Sequence, residues 1–340
     1  ETDKLVLYAV LIFCVTFIIR MFYKLYCKRH FKESVYRFYY NKKFYRELLS
    51  FSGWNLFGNI AVIARGQGSN ILLNLFFGPV ANAAYSLVNI VQGTIINFVS
   101  NFQIAVNPRI TKYYARGEVQ SSLKLIFLSS RFSFFAMLLL VLPLLFNIEF
   151  ILHLWLGKVP TYTVSFLRLA LLYALIETIS NPLIMGAQAT GRIKWYQIIV
   201  GTFIFLTLPI SWVVLKVTHD AVNLYWVLII NSCGALMFRI IFLQKMIGLN
   251  IKAFLTNVVI RILVVALPLF AAGEMLRRFG AQNIANLVLQ SIIICVITIT
   301  MVIIFGTTKN ERATLINSLE LKIKPNKRRE QGRIILGKTV

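Results

Sequence analysis

Apolar residues in this chain come in long runs, not in the alternation of a half-buried strand or the narrow stripe of a surface helix. Leu5 to Ile19, Phe134 to Phe146 and Leu287 to Phe305 are mostly aliphatic and aromatic, and the last approaches the roughly 20 residues that carry a helix through hydrocarbon. Reading the runs against their Gly, Pro and charged breakers predicts nine transmembrane helices, near residues 4–24, 50–77, 80–105, 122–146, 162–188, 194–216, 221–244, 253–276 and 283–305. The predicted fold class is an all-α integral membrane protein.

Composition agrees with the pattern. Apolar residues make up 58% of the 340 and charged ones only 14%, against about a quarter charged in soluble domains. Mean hydropathy is +0.73. The formal net charge of +24 would suggest nucleic acid in a soluble protein, but Lys and Arg cluster between the apolar runs and at the C-terminal end, where they suit membrane lipids. No Gly-rich phosphate loop, RNA-binding signature or zinc spacing supports a nucleic-acid partner.

The charge placement also orients the chain. Arg20 to Arg46 holds nine basic residues and one Glu, whereas the next link, Phe77-Gly78-Pro79-Val80, holds none. By the positive-inside rule the first is cytoplasmic. Arg109, Lys112, Arg116 and Lys124 follow inside, Lys158 outside, Arg192 and Lys194 inside, Lys216 with Asp220 outside, and Lys245 and Lys252 inside with the basic tail from Lys309 to Lys338. Only Arg277 and Arg278 break the alternation. Nine spans with the C-terminus inside place Glu1 outside, and with no initiator Met or cleavable signal ahead of the first run, further helices are expected to precede it.

Polar residues at membrane depth must face protein or water. The second predicted span carries Asn55, Asn59, Arg65, Asn70 and Asn74 among Gly53, Gly58, Gly66 and Gly68, and the third carries Asn82, Asn89 and Gln92 at helix-face spacings. These are candidates for the wall of a hydrated substrate cavity. Arg65 is the most central charge; its forked donors suit a diphosphate, while a pair with a carboxylate on a helix outside this chain, or snorkelling toward an interface, is the competing reading. Glu177 is a candidate for ion coupling or for a pair with another helix, and its winding relative to Arg168 argues against their pairing. Arg131 is a weaker cavity candidate because snorkelling toward the interface competes. Pro143, Pro182, Pro209 and Pro268 are expected kinks, and the five Trp residues suit an interfacial belt. The four Cys and three His are dispersed, and no nucleophile–base, paired-carboxylate or metal constellation occurs. No metal, cofactor or enzymatic activity is expected.

Three stretches carry a family likeness: Phe51-Ser52-Gly53-Trp54-Asn55-Leu56-Phe57-Gly58, Asn70-Ile71-Leu72-Leu73-Asn74-Leu75-Phe76-Phe77-Gly78-Pro79-Val80-Ala81-Asn82-Ala83-Ala84, and Asn101-Phe102-Gln103-Ile104-Ala105-Val106-Asn107-Pro108-Arg109-Ile110. With the segments Ile151 to Pro160 and Ala189 to Gln197, they resemble polysaccharide-biosynthesis (O-antigen, Wzx-type) flippases of the multidrug/oligosaccharidyl-lipid/polysaccharide exporter superfamily. The resemblance covers roughly Arg46 to Met246. It implies a MATE-like fold in which residues 1–27 form the sixth helix at the end of a missing first lobe. Residues 28–49 would be a basic cytoplasmic linker, 50–246 the six-helix second lobe, 247–306 two additional helices and 307–340 a basic cytoplasmic tail.

By the same resemblance the expected activity is flipping of undecaprenyl-diphosphate-linked oligosaccharide across the bacterial plasma (inner) membrane by alternating access. The missing N-terminal lobe and other polysaccharide-assembly proteins are the expected partners. A drug/cation antiporter of the same superfamily should carry more cavity acids, and a membrane-embedded glycan-assembly enzyme should carry a long outer loop with reacting groups. A purely structural subunit would bind the missing lobe without binding glycolipid.

Overall fold

A chain that enters hydrocarbon must close its backbone hydrogen bonds within each segment, which helices do. The computed structural model describes residues 4–34, 38–277, 283–308 and 311–312, and no strand occurs among them. Arg278 and most of the basic tail lie outside the described residues. Eight helices among those described are long and apolar enough to cross a membrane. The chain is a multi-pass, all-α membrane protein.

It divides into two units, Glu1–Ser50 and Phe51–Val340. In the first, α1 (Lys4–His30) presents exposed apolar side chains such as Leu7, Phe13 and Phe17. The hydroxyl of Ser34 closes the turn that follows by donating to the carbonyl oxygens of Cys27 (2.7 Å) and Phe31 (2.8 Å). Asn41 then caps α2 (Lys42–Ala115), its Oδ1 accepting from the backbone N–H groups of Lys43 (3.0 Å) and Phe44 (3.2 Å).

In the second unit α2 continues, followed by α3 (Val119–Phe146), α4 (Ile148–Leu156), α5 (Thr163–Ala189), α6 (Lys194–Phe205), α7 (Thr207–Thr218) and α8 (Asn223–Ile247). The chain then passes α9 (Ile251–Phe254), a π-helical turn at Leu255–Val259, α10 (Ile260–Arg277), α11 (Ile284–Met301) and a second π-helical turn at Val302–Gly306. The core lies where α5 packs between α3 and α8. Phe166, Leu167, Ala170, Leu171 and Ala174 of α5 are wholly buried there, with Met137, Leu138 and Val141 of α3 and Leu224 of α8. α6 and α7 rest on α8, while α10 and α11 rest on α3.

Straight, the 74 residues of α2 would extend about 110 Å at 1.5 Å per residue, several bilayer thicknesses. The helix instead breaks at Gly78 (φ 75°, ψ −170°), a conformation that suits glycine, and Pro79 supplies no N–H to continue the ladder. α2 therefore has two arms, 42–77 and 79–115.

Pro182 and Pro143 leave carbonyls that the fold uses. Pro182 cannot bond the carbonyl of Thr178, and Gln103 Nε2 on the second arm of α2 donates to it at 3.3 Å. Asn181 Nδ2 in turn donates to Gln103 Oε1 (3.2 Å). Pro143 frees the carbonyl of Leu139, which Cys295 Sγ of α11 approaches at 3.9 Å. At Pro209 the single helix expected over 194–216 parts at Leu206 into α6 and α7, and the Thr207 hydroxyl donates to the Ile204 carbonyl (2.6 Å). The short α4 was not foreseen; it buries Ile148 and Leu152, exposes Leu154 and Trp155, and ends at Gly157 (φ 67°).

Candidate functional site

Helical winding sorts the polar residues of α2 onto two faces. On the first arm Gly58, Ala61, Arg65, Ser69 and Leu73 are buried, while Ser52, Asn59, Gln67 and Asn74 are exposed and Asn70 is half-buried. On the second arm Ala81, Tyr85, Val88, Gln92, Val99 and Gln103 are buried, while Ser86, Asn89, Asn97 and Asn101 are exposed and Asn82 is half-buried. Asn59, Asn70 and Asn74 thus share one outward face, and Asn82 and Asn89 share the outward face of the other arm. The Oδ1 atoms of Asn70 and Asn82 are themselves buried and have no hydrogen-bond partner among the described residues.

Asn55 and Gln92 are placed differently. Asn55 Oδ1 accepts from Gln188 Nε2 of α5 and Gln197 Nε2 of α6, both at 3.1 Å. One turn on, a Cβ at Gly58 would sit 2.1 Å from Gln197 Oε1, so glycine is what allows this amide clamp to close. Gln92 Nε2 donates to the carbonyl of Ala170 (3.2 Å). Both amides hold α2 against neighbouring helices.

Arg65 also lies on the buried face. Its Nη1 stands 3.7 Å from Glu177 Oε1 on α5, and its guanidinium lies 5.4 Å from the centre of the Tyr173 ring. The Ser232 hydroxyl of α8 donates to the same Glu177 oxygen at 2.6 Å. Arg239 of α8 acts on Glu177 as well and lies beside Tyr196, while Tyr85 stands beside Ser69 and Asn89. The carboxylate partner of Arg65 is therefore on a helix of this chain. Arg168 pairs instead with Glu149 of α4 at 2.7 Å.

Arg131 is joined to a different region. It is buried on α3, its Nη1 donates to the Asn257 carbonyl in the first π-helical turn (2.9 Å), and its Nη2 donates to Glu311 Oε1 (2.5 Å). Glu311 and Thr308 cap one another: the Thr308 N–H donates to Glu311 Oε2 (2.7 Å) and the Glu311 N–H donates to Thr308 Oγ1 (3.3 Å). Partial burial opposes ionisation of Glu311, but the Thr308 N–H and Arg131 outweigh it and hold the carboxyl below its ordinary range. Arg131 thereby latches the segment after the last helix onto α3.

Sequence reading singled out Arg65 and Glu177 separately and missed Tyr173, Ser232 and Tyr196, ordinary residues whose role comes from which helices pack together. Among the described residues no group of three or more His, Cys, Asp or Glu is placed to hold a metal ion. No family model, curated protein or solved structure matches the chain.

Proposed function

We propose that the chain is one lobe of an exporter that flips undecaprenyl-diphosphate-linked oligosaccharide for surface polysaccharide synthesis. The observation that supports this reading most is the set of exposed amides on the two arms of α2, Asn59 and Asn74 on the first and Asn89 on the second, which stand at membrane depth among exposed apolar residues such as Ile63 and Ile90. Hydrocarbon offers amides no hydrogen-bond partner, whereas a hydrated passage between this lobe and a second one does. Amides both donate and accept, which matches the hydroxyls of a glycan without committing to one sugar.

In this reading the break at Gly78 makes α2 two spans, giving nine in all, with α1 as the sixth helix of a MATE-like fold in the bacterial inner membrane and the C-terminus cytoplasmic. The glycan passes Asn59, Asn70, Asn74, Asn82 and Asn89 while the polyprenyl tail stays in the bilayer, and rocking of the lobes exposes the passage to each side in turn. Arg65 serves from behind this wall by tying α2 to α5. The antiporter alternative is less favoured, because Glu177 is occupied by Arg65 and Ser232.

The test is complementation of a flippase-null strain with the full-length gene and with its Asn59→Leu/Asn74→Leu/Asn89→Leu variant. The unaltered gene is expected to restore surface glycan and clear lipid-linked intermediates, and the variant to reach the membrane in similar amount while intermediates accumulate. A variant exporting as well as the parent would overturn the role of the amide faces. A parent gene that alters drug accumulation but never restores glycan would move the assignment to the antiporter.

A further inference from the structure

Between the second arm of α2, α3 and α11 lies an apolar cavity of about 290 Å³. Phe102 of α2, Phe132, Phe135 and Leu139 of α3, Ile299 of α11 and Ile303 of the π-helical turn after it line this space. Phe135 is buried, whereas Phe102, Ile299 and Ile303 are exposed, so the cavity opens outward. A Cβ at Gly306 would stand 2.7 Å from the Phe135 ring, and glycine there lets the turn close against α3. Two threonines also line the cavity, and both spend their hydroxyls on their own helix: Thr298 Oγ1 donates to the Ile294 carbonyl (2.7 Å) and Thr307 Oγ1 to the Ile303 carbonyl (2.8 Å). A space so lined suits hydrocarbon and not water or a sugar.

Positive charge stands at the end of the cavity where α11 finishes. The Arg131 guanidinium lies 5.6 Å from the centre of the Phe132 ring, and its donors are taken up by the Asn257 carbonyl and Glu311. Arg312, next in the chain after Glu311, is half-buried and donates through Nη2 to the carbonyl of Ile304, the neighbour of the lining Ile303. It makes no ion pair among the described residues. A guanidinium held at one corner keeps donors for a second acceptor, and its fork fits phosphate oxygens. An apolar slot that ends beside a fixed cation, at the end of a membrane-crossing helix, has the chemistry to hold one anionic lipid.

We propose that this slot binds an anionic glycerophospholipid, its acyl chain between α2, α3 and α11 and its phosphate on Arg312. A zwitterionic lipid fills the cavity equally but brings its own ammonium toward the arginine, so a net negative headgroup is selected. At 100° per residue Phe102 lies about 140° around α2 from Asn89 and about 160° from Asn82. The slot therefore faces away from the amide wall, and its lipid is a resident of the bilayer and not cargo. This inference is independent of what the chain transports.

The full-length protein in detergent is to be titrated with phosphatidylglycerol or phosphatidylcholine of the same acyl chains, and the retained lipid counted by native mass spectrometry. One phosphatidylglycerol is expected to bind about fivefold more tightly than phosphatidylcholine, the worth of a single arginine near a headgroup. Arg312→Gln should lose the preference, and Ala136→Phe, which fills the slot, should weaken both lipids. No preference in the unaltered protein, a preference that Arg312→Gln keeps, or binding that a folded Ala136→Phe leaves intact overturns the proposal. So does displacement by a polyprenyl phosphate at lower concentration than phosphatidylglycerol, which would give the slot to a transported lipid. Should Ala136→Phe fail to fold, phosphatidylglycerol with a diazirine in its acyl chain decides on the unaltered protein. Crosslinks to Leu139 or Ile299 that excess phosphatidylglycerol suppresses support the site, and crosslinks only elsewhere overturn it.

Discussion

Among the residues buried with Arg65, net charge decides which losses the chain tolerates. Removing Arg65 or Arg239 leaves one arginine facing Glu177, a neutral pair. Removing Glu177 leaves two buried cations and an orphaned Ser232 hydroxyl. Glu177→Ala is therefore expected to be the most damaging single change, on the order of 3–5 kcal/mol, with Arg65→Ala milder and Arg239→Gln mildest. Thermal unfolding of the three purified variants ranks them, and a Glu177→Ala protein more stable than Arg65→Ala would refute the scheme. The depth of Arg65 was legible from its place in an apolar run. Its partner was not, because nothing in a linear sequence states which helix lies beside α2. Gln92 shows the same limit: grouped with Asn82 and Asn89 by spacing, it turns enough around the helix to reach the Ala170 carbonyl.

At the scale of helices, proline-freed carbonyls serve as docking points. If Gln103 matters chiefly because Pro182 releases the Thr178 carbonyl, then Gln103→Leu should cost about 1–3 kcal/mol in the native chain, the penalty of an unsatisfied buried group. It should cost distinctly less in a Pro182→Ala background, where the helix can reclaim that carbonyl. A double-mutant cycle measures the coupling; additive effects would show that Gln103 acts only through Asn181. Long helices and the Gly78-Pro79 break were readable, since hydropathy and missing N–H groups act locally. The break near Pro209 was also expected, but the short α4 and the two π-helical turns were not readable. In the first of these turns the Asn257 carbonyl is satisfied by Arg131 of α3, a neighbour that the linear sequence does not name.

For the whole molecule, the nine-span proposal turns on α2, which is too long to cross once and breaks at Gly78. Single cysteines at Ser52, Val80 and Arg116, all exposed in the second unit, are introduced into a chain lacking Cys14, Cys27, Cys233 and Cys295. Membrane-impermeant maleimide is expected to reach positions 52 and 116 from one side and position 80 from the other. Labelling of all three from the same side would rule out the reversal. That the chain crosses the membrane repeatedly was plain from its apolar runs, whereas the outward amide faces needed the burial of the opposite faces to be recognised.

Those amide faces carry an electrical consequence. Amides bear no net charge, so the transmembrane voltage, worth about 2.3 kcal/mol per elementary charge per 100 mV, does no work on Asn59, Asn70, Asn74, Asn82 or Asn89 however far α2 moves. An amide-lined passage would add no gating charge, and voltage would act on α2 through charged groups such as Arg65 on its buried face.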